Sequence, residues 1–141
     1  IEPNNYLPFI FLYAAYKSLN LKEKKLKTIK QAIIVVRKHL AIEPKDARAL
    51  YLGALALIES KKEEEGILWL EKAIVIDPND VSVLYNAACV YSVMGKQEIA
   101  IGYFEKAIKE GFGSLNWITN DTDLDNIRNH PKFQSIIDKI K

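Results

Sequence analysis

Residues 47–80, ARALYLGALALIESKKEEEGILWLEKAIVIDPND, and residues 81–113, VSVLYNAACVYSVMGKQEIAIGYFEKAIKEGFG, carry one pattern twice. In the first stretch Leu50, Gly53-Ala54, Leu57, Gly66, Leu70, Ala73 and Pro78 fill the slots that Leu84, Ala87-Ala88, Tyr91, Ala100, Phe104 and Ala107 fill in the second. The spacing is helical, and the alternation of small and large has a packing reason. Small residues at Ala54, Gly66 and Ala73, and at Ala88, Ala100 and Ala107, allow two helices to approach closely, while the large residues fill the space beside them. Each stretch therefore reads as a helix A, a turn and a helix B. Gly95 supplies the turn in the second stretch.

The tripeptide Ile-acid-Pro marks where helix B stops, because the residue before a proline is pushed out of helical geometry. It occurs as Ile1-Glu2-Pro3, Ile42-Glu43-Pro44 and Ile76-Asp77-Pro78. The last two prolines are 78 − 44 = 34 residues apart and the first two are 44 − 3 = 41 apart. An earlier unit thus carries seven surplus residues. Phe9, Tyr16 and Asn20 stand at its first anchor, second anchor and turn, and Ala32 at its small helix-B position. The surplus then falls at about Leu21–Lys27, where it lengthens either the turn or the start of helix B by about two helical turns. Tyr13 and His39 stand where small residues are expected.

A 34-residue helix–turn–helix period with this register resembles the tetratricopeptide repeat family over about residues 6–111. The resemblance implies an all-α, right-handed solenoid of antiparallel helix pairs in one domain, 1–141. Its parts are a first unit at 6–46 with the insertion near 21–27, a second at 47–80, a third at 81–113, and C-terminal capping helices at 114–141. The run Leu84-Tyr85-Asn86-Ala87-Ala88-Cys89-Val90-Tyr91, with Gly111-Phe112, Trp117, Asp123-Leu124-Asp125, Ile127-Arg128 and Pro131-Lys132-Phe133-Gln134, is similar to the tetratricopeptide module at the C-terminus of prokaryotic multidomain proteins with kinase, cyclase or TolB-like domains. That similarity implies the interaction part of a larger regulatory protein, and Ile1-Glu2-Pro3 reads as the end of a preceding repeat.

After Lys109 the proline is missing, Glu110–Gly113 reads as a helix end, and Ser114 as a new N-cap. Pro131 opens a last helix with Phe133, Ile136, Ile137 and Ile140 at helical spacing. A repeat array needs its exposed end covered. Trp117, Leu124, Ile127, Phe133 and Ile137 are expected to do this.

Composition restricts the function. The chain has 20 basic against 18 acidic side chains and 49% hydrophobic content, values that suit a globular domain and argue against a nucleic-acid or membrane-surface partner. The basic excess lies in residues 1–46, nine Lys/Arg against four acids, mostly Lys22, Lys24, Lys25, Lys27 and Lys30. These read as a solvated face, because no aromatic residues interleave them for base stacking. A single cysteine, Cys89, suits a reducing compartment, and a cytoplasmic location is expected. No apolar run reaches eighteen residues.

Enzyme chemistry finds no support. Asp121, Asp123 and Asp125 alternate as in a calcium loop, but Asn126 and Lys132 stand where that loop needs Gly and Glu, so helix capping is the better reading. His39 and His130 have no zinc-ligand spacing. Cys89 lies mid-helix, and the serines have no nucleophile setting. No cofactor, metal or catalytic residue is expected.

The resemblance places helix A on a concave groove. That selects Arg48, Tyr51, Leu52, Leu55 and Glu59 in the second unit, Ser82, Tyr85, Asn86 and Cys89 in the third, and Phe11 with Ile10 and Ala14 in the first. A protein or peptide partner with hydrophobic anchors would suit this set. A clamp for a C-terminal carboxylate is not expected, since Ile10, Tyr51 and Tyr85 replace its lysines beside Asn86. The alternative function is structural: self-association into a homo-oligomer, or docking of the groove on an upstream domain.

Overall fold

In the computed structural model, which describes residues 5–141, the chain is all-α. Its helices are α1 (Leu7–Ser18), α2 (Lys22–Ile42), α3 (Ala47–Glu59), α4 (Glu63–Ile76), α5 (Val81–Val93), α6 (Gln97–Lys109), α7 (Leu115–Asn120) and α8 (Pro131–Ile140), with a 3-10 turn at Thr122–Leu124 before α8. The residues up to Ile76 form one compact unit, and Asp77–Lys141 form a second. Ile1-Glu2-Pro3 lies outside the described residues.

In the N-terminal unit α1 packs on α2, α2 on α3 and α3 on α4. The seven surplus residues lengthen helix B. Helix α2 has 21 residues against 14 in α4, while Asn20 and Lys61 hold the same left-handed turn position, at φ 58° and 67°. After each, the next amide reaches back five residues, Leu21 N–H to Tyr16 O and Lys62 N–H to Leu57 O, which closes the preceding helix end. Helices α2 and α4 then stop two residues before Pro44 and Pro78, as the proline rule requires.

The small residues do what their spacing implies. Leu50, Ala54, Leu57, Leu70 and Ala73 are buried. A Cβ on Gly66 would stand 3.1 Å from the Ala54 carbonyl oxygen and 2.8 Å from Ile58 Cδ1, so α3 and α4 meet at backbone contact there. Gly53 takes the edge of the Trp69 ring and Val36 in the same way. The two residues that departed from the pattern are also accommodated. Tyr13 is buried, and His39 Nε2 lies 2.7 Å from Asp46 Oδ2 with its ring 5.0 Å from that of Tyr6.

In the C-terminal unit α5 packs on α6, the 3-10 turn packs on α5, and α8 on α6. Gly95, at φ 77°, makes the α5–α6 turn. Leu84, Ala87, Ala88, Ala100, Phe104 and Ala107 are buried as expected. The Phe133 ring of α8 sits 4.7 Å from that of Phe104, and both side chains are fully enclosed, each burial contributing about 1.5–3 kcal/mol. Leu124, Ile127 and Ile137 are buried as well, so four of the five residues expected to cover the end of the array are enclosed.

Trp117 does not join them. It is 62% exposed, and its neighbour Ile118 is buried at 1%. Ser114 caps α7 by accepting from Trp117 N–H, which fixes the helical phase, and adjacent residues on a helix point about 100° apart. One of the pair faces in and the other out.

The N-caps carry the period further than the prolines do. Asp46, Asp80 and Ser114 each accept from the amide three residues on, at 3.1, 3.0 and 3.3 Å, and they stand 80 − 46 = 34 and 114 − 80 = 34 residues apart. The C-terminal segment begins in the register of a further helix A and leaves it after the six residues of α7.

Candidate partner-binding surface

On α3 the row Arg48, Leu52, Leu55 and Glu59 follows helical spacing at i, i+4, i+7 and i+11. Arg48 is exposed and Leu52 half-buried, whereas Leu55 and the adjacent Tyr51 are buried. Glu59 ends the row in an ion pair with Lys17 of α1, which joins the two A helices of this unit. Its side chain is 6% exposed, and its Oε2 has no hydrogen-bond partner among the described residues. Nearly two turns before Lys17 on α1, Phe11 stands out at 61% exposure. Phe11 and Leu52 occupy the same slot of successive repeats, 52 − 11 = 41 residues apart, as the prolines are. The N-terminal unit thus presents an aromatic ring, a leucine and a guanidinium on its A helices.

The same slots in the C-terminal unit have the same exposure but a different chemistry. Ser82 is exposed, and half-buried Asn86 donates from Nδ2 to Ser82 O at 2.8 Å. Tyr85 and Cys89 are buried beneath the chain's own C-terminal segment. The Tyr85 ring stacks on Phe112 at 4.1 Å and 14°, and its hydroxyl donates to Asp121 Oδ2 at 2.7 Å. Cys89 Sγ donates to the same oxygen at 3.7 Å. Asp121 Oδ1 accepts from Asp123 N–H, while Arg128 holds the segment by donating to the carbonyls of Asp121 at 2.7 Å and Ile118 at 3.1 Å. Asn126 Nδ2 ties the next turn to Ser92 O of α5.

Burial, reinforced by neighbouring groups that include the Asp121 carboxylate, pushes the Tyr85 hydroxyl and the Cys89 thiol well above their ordinary values. A thiol held protonated in this way is a poor nucleophile and a reluctant metal ligand. Asp121 and Asp123 do approach Cys89, with ligand atoms within 4.8 Å of one another, but Asp125 instead accepts from Arg128 Nε at 3.3 Å. The alternating aspartates therefore face different partners. His39, Glu43 and Asp46 form a second group of that size at the α2–α3 junction, where Asp46 is also the α3 cap.

The sequence reading did not anticipate Phe112 and Asp121 as the cover of α5. The signal lay in the caps, since the 34-residue step from Asp80 to Ser114 puts a further helix start where it can lie against α5.

A tetratricopeptide repeat family model matches residues 47–80, which are α3, α4, Pro78 and the α5 cap Asp80. A second tetratricopeptide repeat model matches residues 69–102, from mid-α4 through α5 into α6. Residues 47–102 are thus similar to tetratricopeptide repeats. The two matches overlap out of phase, as a periodic array allows. Tetratricopeptide repeats generally mediate protein–protein interaction. No curated protein matches the chain. Among the described residues, no helix is long and apolar enough to cross a membrane.

Proposed function

We propose that the chain is a non-enzymatic protein-interaction scaffold that holds a peptide or partner surface against the A helices of its N-terminal unit. Phe11, Arg48 and Leu52 make the contact, with Leu55 and Tyr51 as its buried support. The observation that carries this reading is the chemistry of the accessible slots: Phe11, Arg48 and Leu52 offer an aromatic ring, a guanidinium and a leucine, whereas the C-terminal unit holds Ser82 and Asn86 there, with Asn86 bonded back to Ser82 O. An exposed aromatic ring supplies apolar area to an anchor residue, and a guanidinium fixes a carboxylate or backbone carbonyl in register.

We further infer, from the likeness of Leu84–Gln134 to the C-terminal modules of prokaryotic kinase, cyclase and TolB-like proteins, that the chain is the partner-sensing part of a larger cytoplasmic regulator. The exposed apolar residues of α1 also favour a structural role, with the module docking on another domain or on a second copy.

The test is selection of peptides from a random display library on the immobilised chain, followed by calorimetric titration. Each selected peptide should bind Phe11→Ala and Arg48→Glu about tenfold more weakly, a loss of about 1.4 kcal/mol, with thermal melts unchanged. Binding retained by both variants would refute the assignment.

A further inference from the structure

The α2–α3 junction brings together three groups that the partner surface does not use. His39 Nε2 and one carboxylate oxygen each from Glu43 and Asp46 lie within 4.8 Å of one another. Nε2 is 2.7 Å from Asp46 Oδ2 and 3.8 Å from Glu43 Oε2. Ligand atoms held about 2.0–2.2 Å from a tetrahedral zinc ion are about 3.3–3.6 Å apart, so the two separations bracket what a metal needs.

The fold delivers each ligand separately. His39 stands on the last turn of α2, and Glu43 is the C-cap whose amide donates to His39 O at 2.9 Å, which keeps this pair together. Asp46 Oδ1 is committed to Ala49 N–H as the α3 cap, and that leaves Oδ2 directed at the imidazole. The Tyr6 ring, 5.0 Å from the His39 ring and tilted by 59°, packs beside the imidazole. Glu43, with its side chain 65% exposed, is the arm with room to adjust.

The next repeat supplies a comparison within the chain. One period on, Glu43 and Asp46 become Asp77 and Asp80, and Asp80 caps α5 as Asp46 caps α3. His39 becomes Ala73, which is buried. Capping thus accounts for an aspartate at both junctions, but it requires no imidazole at either. Only at the first do three ligand atoms converge among the described residues.

We propose that His39, Glu43 and Asp46 bind a divalent transition-metal ion of the zinc class. A neutral imidazole with two carboxylates suits zinc and its neighbours, whereas calcium and magnesium take oxygen ligands alone. Three protein ligands leave a fourth position for water or a partner's side chain. The ion ties the end of α2 to the start of α3, two residues before Arg48. The site stands whether or not Arg48 binds a peptide.

The experiment titrates the untagged whole chain with Zn2+ in a calorimeter at neutral pH, then with Mg2+ and Ca2+. Zn2+ should bind one per chain in the micromolar range and raise the melting temperature, with the other two ions at least about a hundredfold weaker. His39→Ala, which installs the residue found one repeat later, should weaken Zn2+ at least about tenfold, as should Glu43→Gln. Asp46→Asn keeps an oxygen to cap α3, so it should melt near the parent and still lose affinity. His130→Ala should leave binding unchanged. No binding of Zn2+, equal binding of Ca2+, or affinity kept by His39→Ala and Glu43→Gln would overturn the proposal, the last outcome meaning an adventitious ion only.

Discussion

Adding one methyl group at Gly53 should destabilise the protein, although the same change elsewhere on a helix should stabilise it. A Cβ at Gly53 would stand 2.6 and 2.8 Å from Cζ3 and Cε3 of Trp69 and 2.9 Å from Cγ1 of Val36. All three distances fall short of van der Waals contact, and the obstacles are a rigid ring and a fully buried β-branched side chain rather than a flexible tip. Replacing glycine by alanine inside α3 gains about 1 kcal/mol of helix propensity. Overpacking costs about 1–3 kcal/mol, and simultaneous contact with two stiff side chains places it in the upper half of that range. The net expectation for Gly53→Ala is a loss of about 1–2 kcal/mol, or a melting temperature lower by about 3–8 °C. At Gly102, in α6, nothing lies within 4 Å of the added atom, so Gly102→Ala should keep most of the propensity gain. Urea unfolding by circular dichroism, with fluorescence in a Trp117→Phe background so that Trp69 is the reporter, measures both. Gly53→Ala as stable as the parent, with Trp69 emission unshifted, would refute the close packing of α2, α3 and α4 on which the fold rests.

Asp46→Ala should cost more than the about 1 kcal/mol usual for a lost N-cap, and more than Asp80→Ala, because Asp46 also pairs with His39 at 2.7 Å; equilibrium unfolding of the two variants gives the order. Lys61→Gly should stabilise the α3–α4 turn by up to about 1 kcal/mol, since φ 67° strains any residue with a Cβ, and a neutral result in the same assay would remove that strain from the account. Burial, with Asp46 adding to it, raises the Tyr6 hydroxyl from 10.0 to about 12, so the folded form favours the neutral phenol. Its contribution is complete below pH 10 and is lost as pH rises towards 12, and a Tyr6→Phe variant should show a shallower alkaline loss in melts scanned between those values. Cys89, buried under Asp121, should react with a thiol reagent only at the rate of unfolding, and prompt labelling of the folded chain would mean that the C-terminal segment does not cover α5.

The repeat was legible in the sequence because its signal is local: the small and large positions of a helix pair are set by contacts inside one 34-residue period, so Ala54, Gly66 and Ala73 announce the close approach of α3 and α4 by spacing alone. The insertion was half legible. A longer turn and a longer helix fit Leu21–Lys27 equally well, and what separates them is Asn20 in the left-handed turn position. Trp117 was misplaced because adjacent apolar residues in a short helix give no phase until the Ser114 cap fixes one. The binding residues were the least legible. Position in the repeat selects Tyr51, Leu55, Tyr85 and Cys89 as surface residues, yet all four are buried, the last two against Phe112 and Asp121, some thirty residues later in the chain. Such cover arises from chain that lies outside the period that predicts the slots.

The most direct test of the interaction surface is a backbone amide NMR titration of the chain with a library-selected peptide. The account predicts shifts concentrated at Phe11, Arg48 and Leu52, with the amides of Tyr85 and Cys89 unmoved. Shifts concentrated on α5, with the Tyr85 ring leaving Phe112, would contradict it.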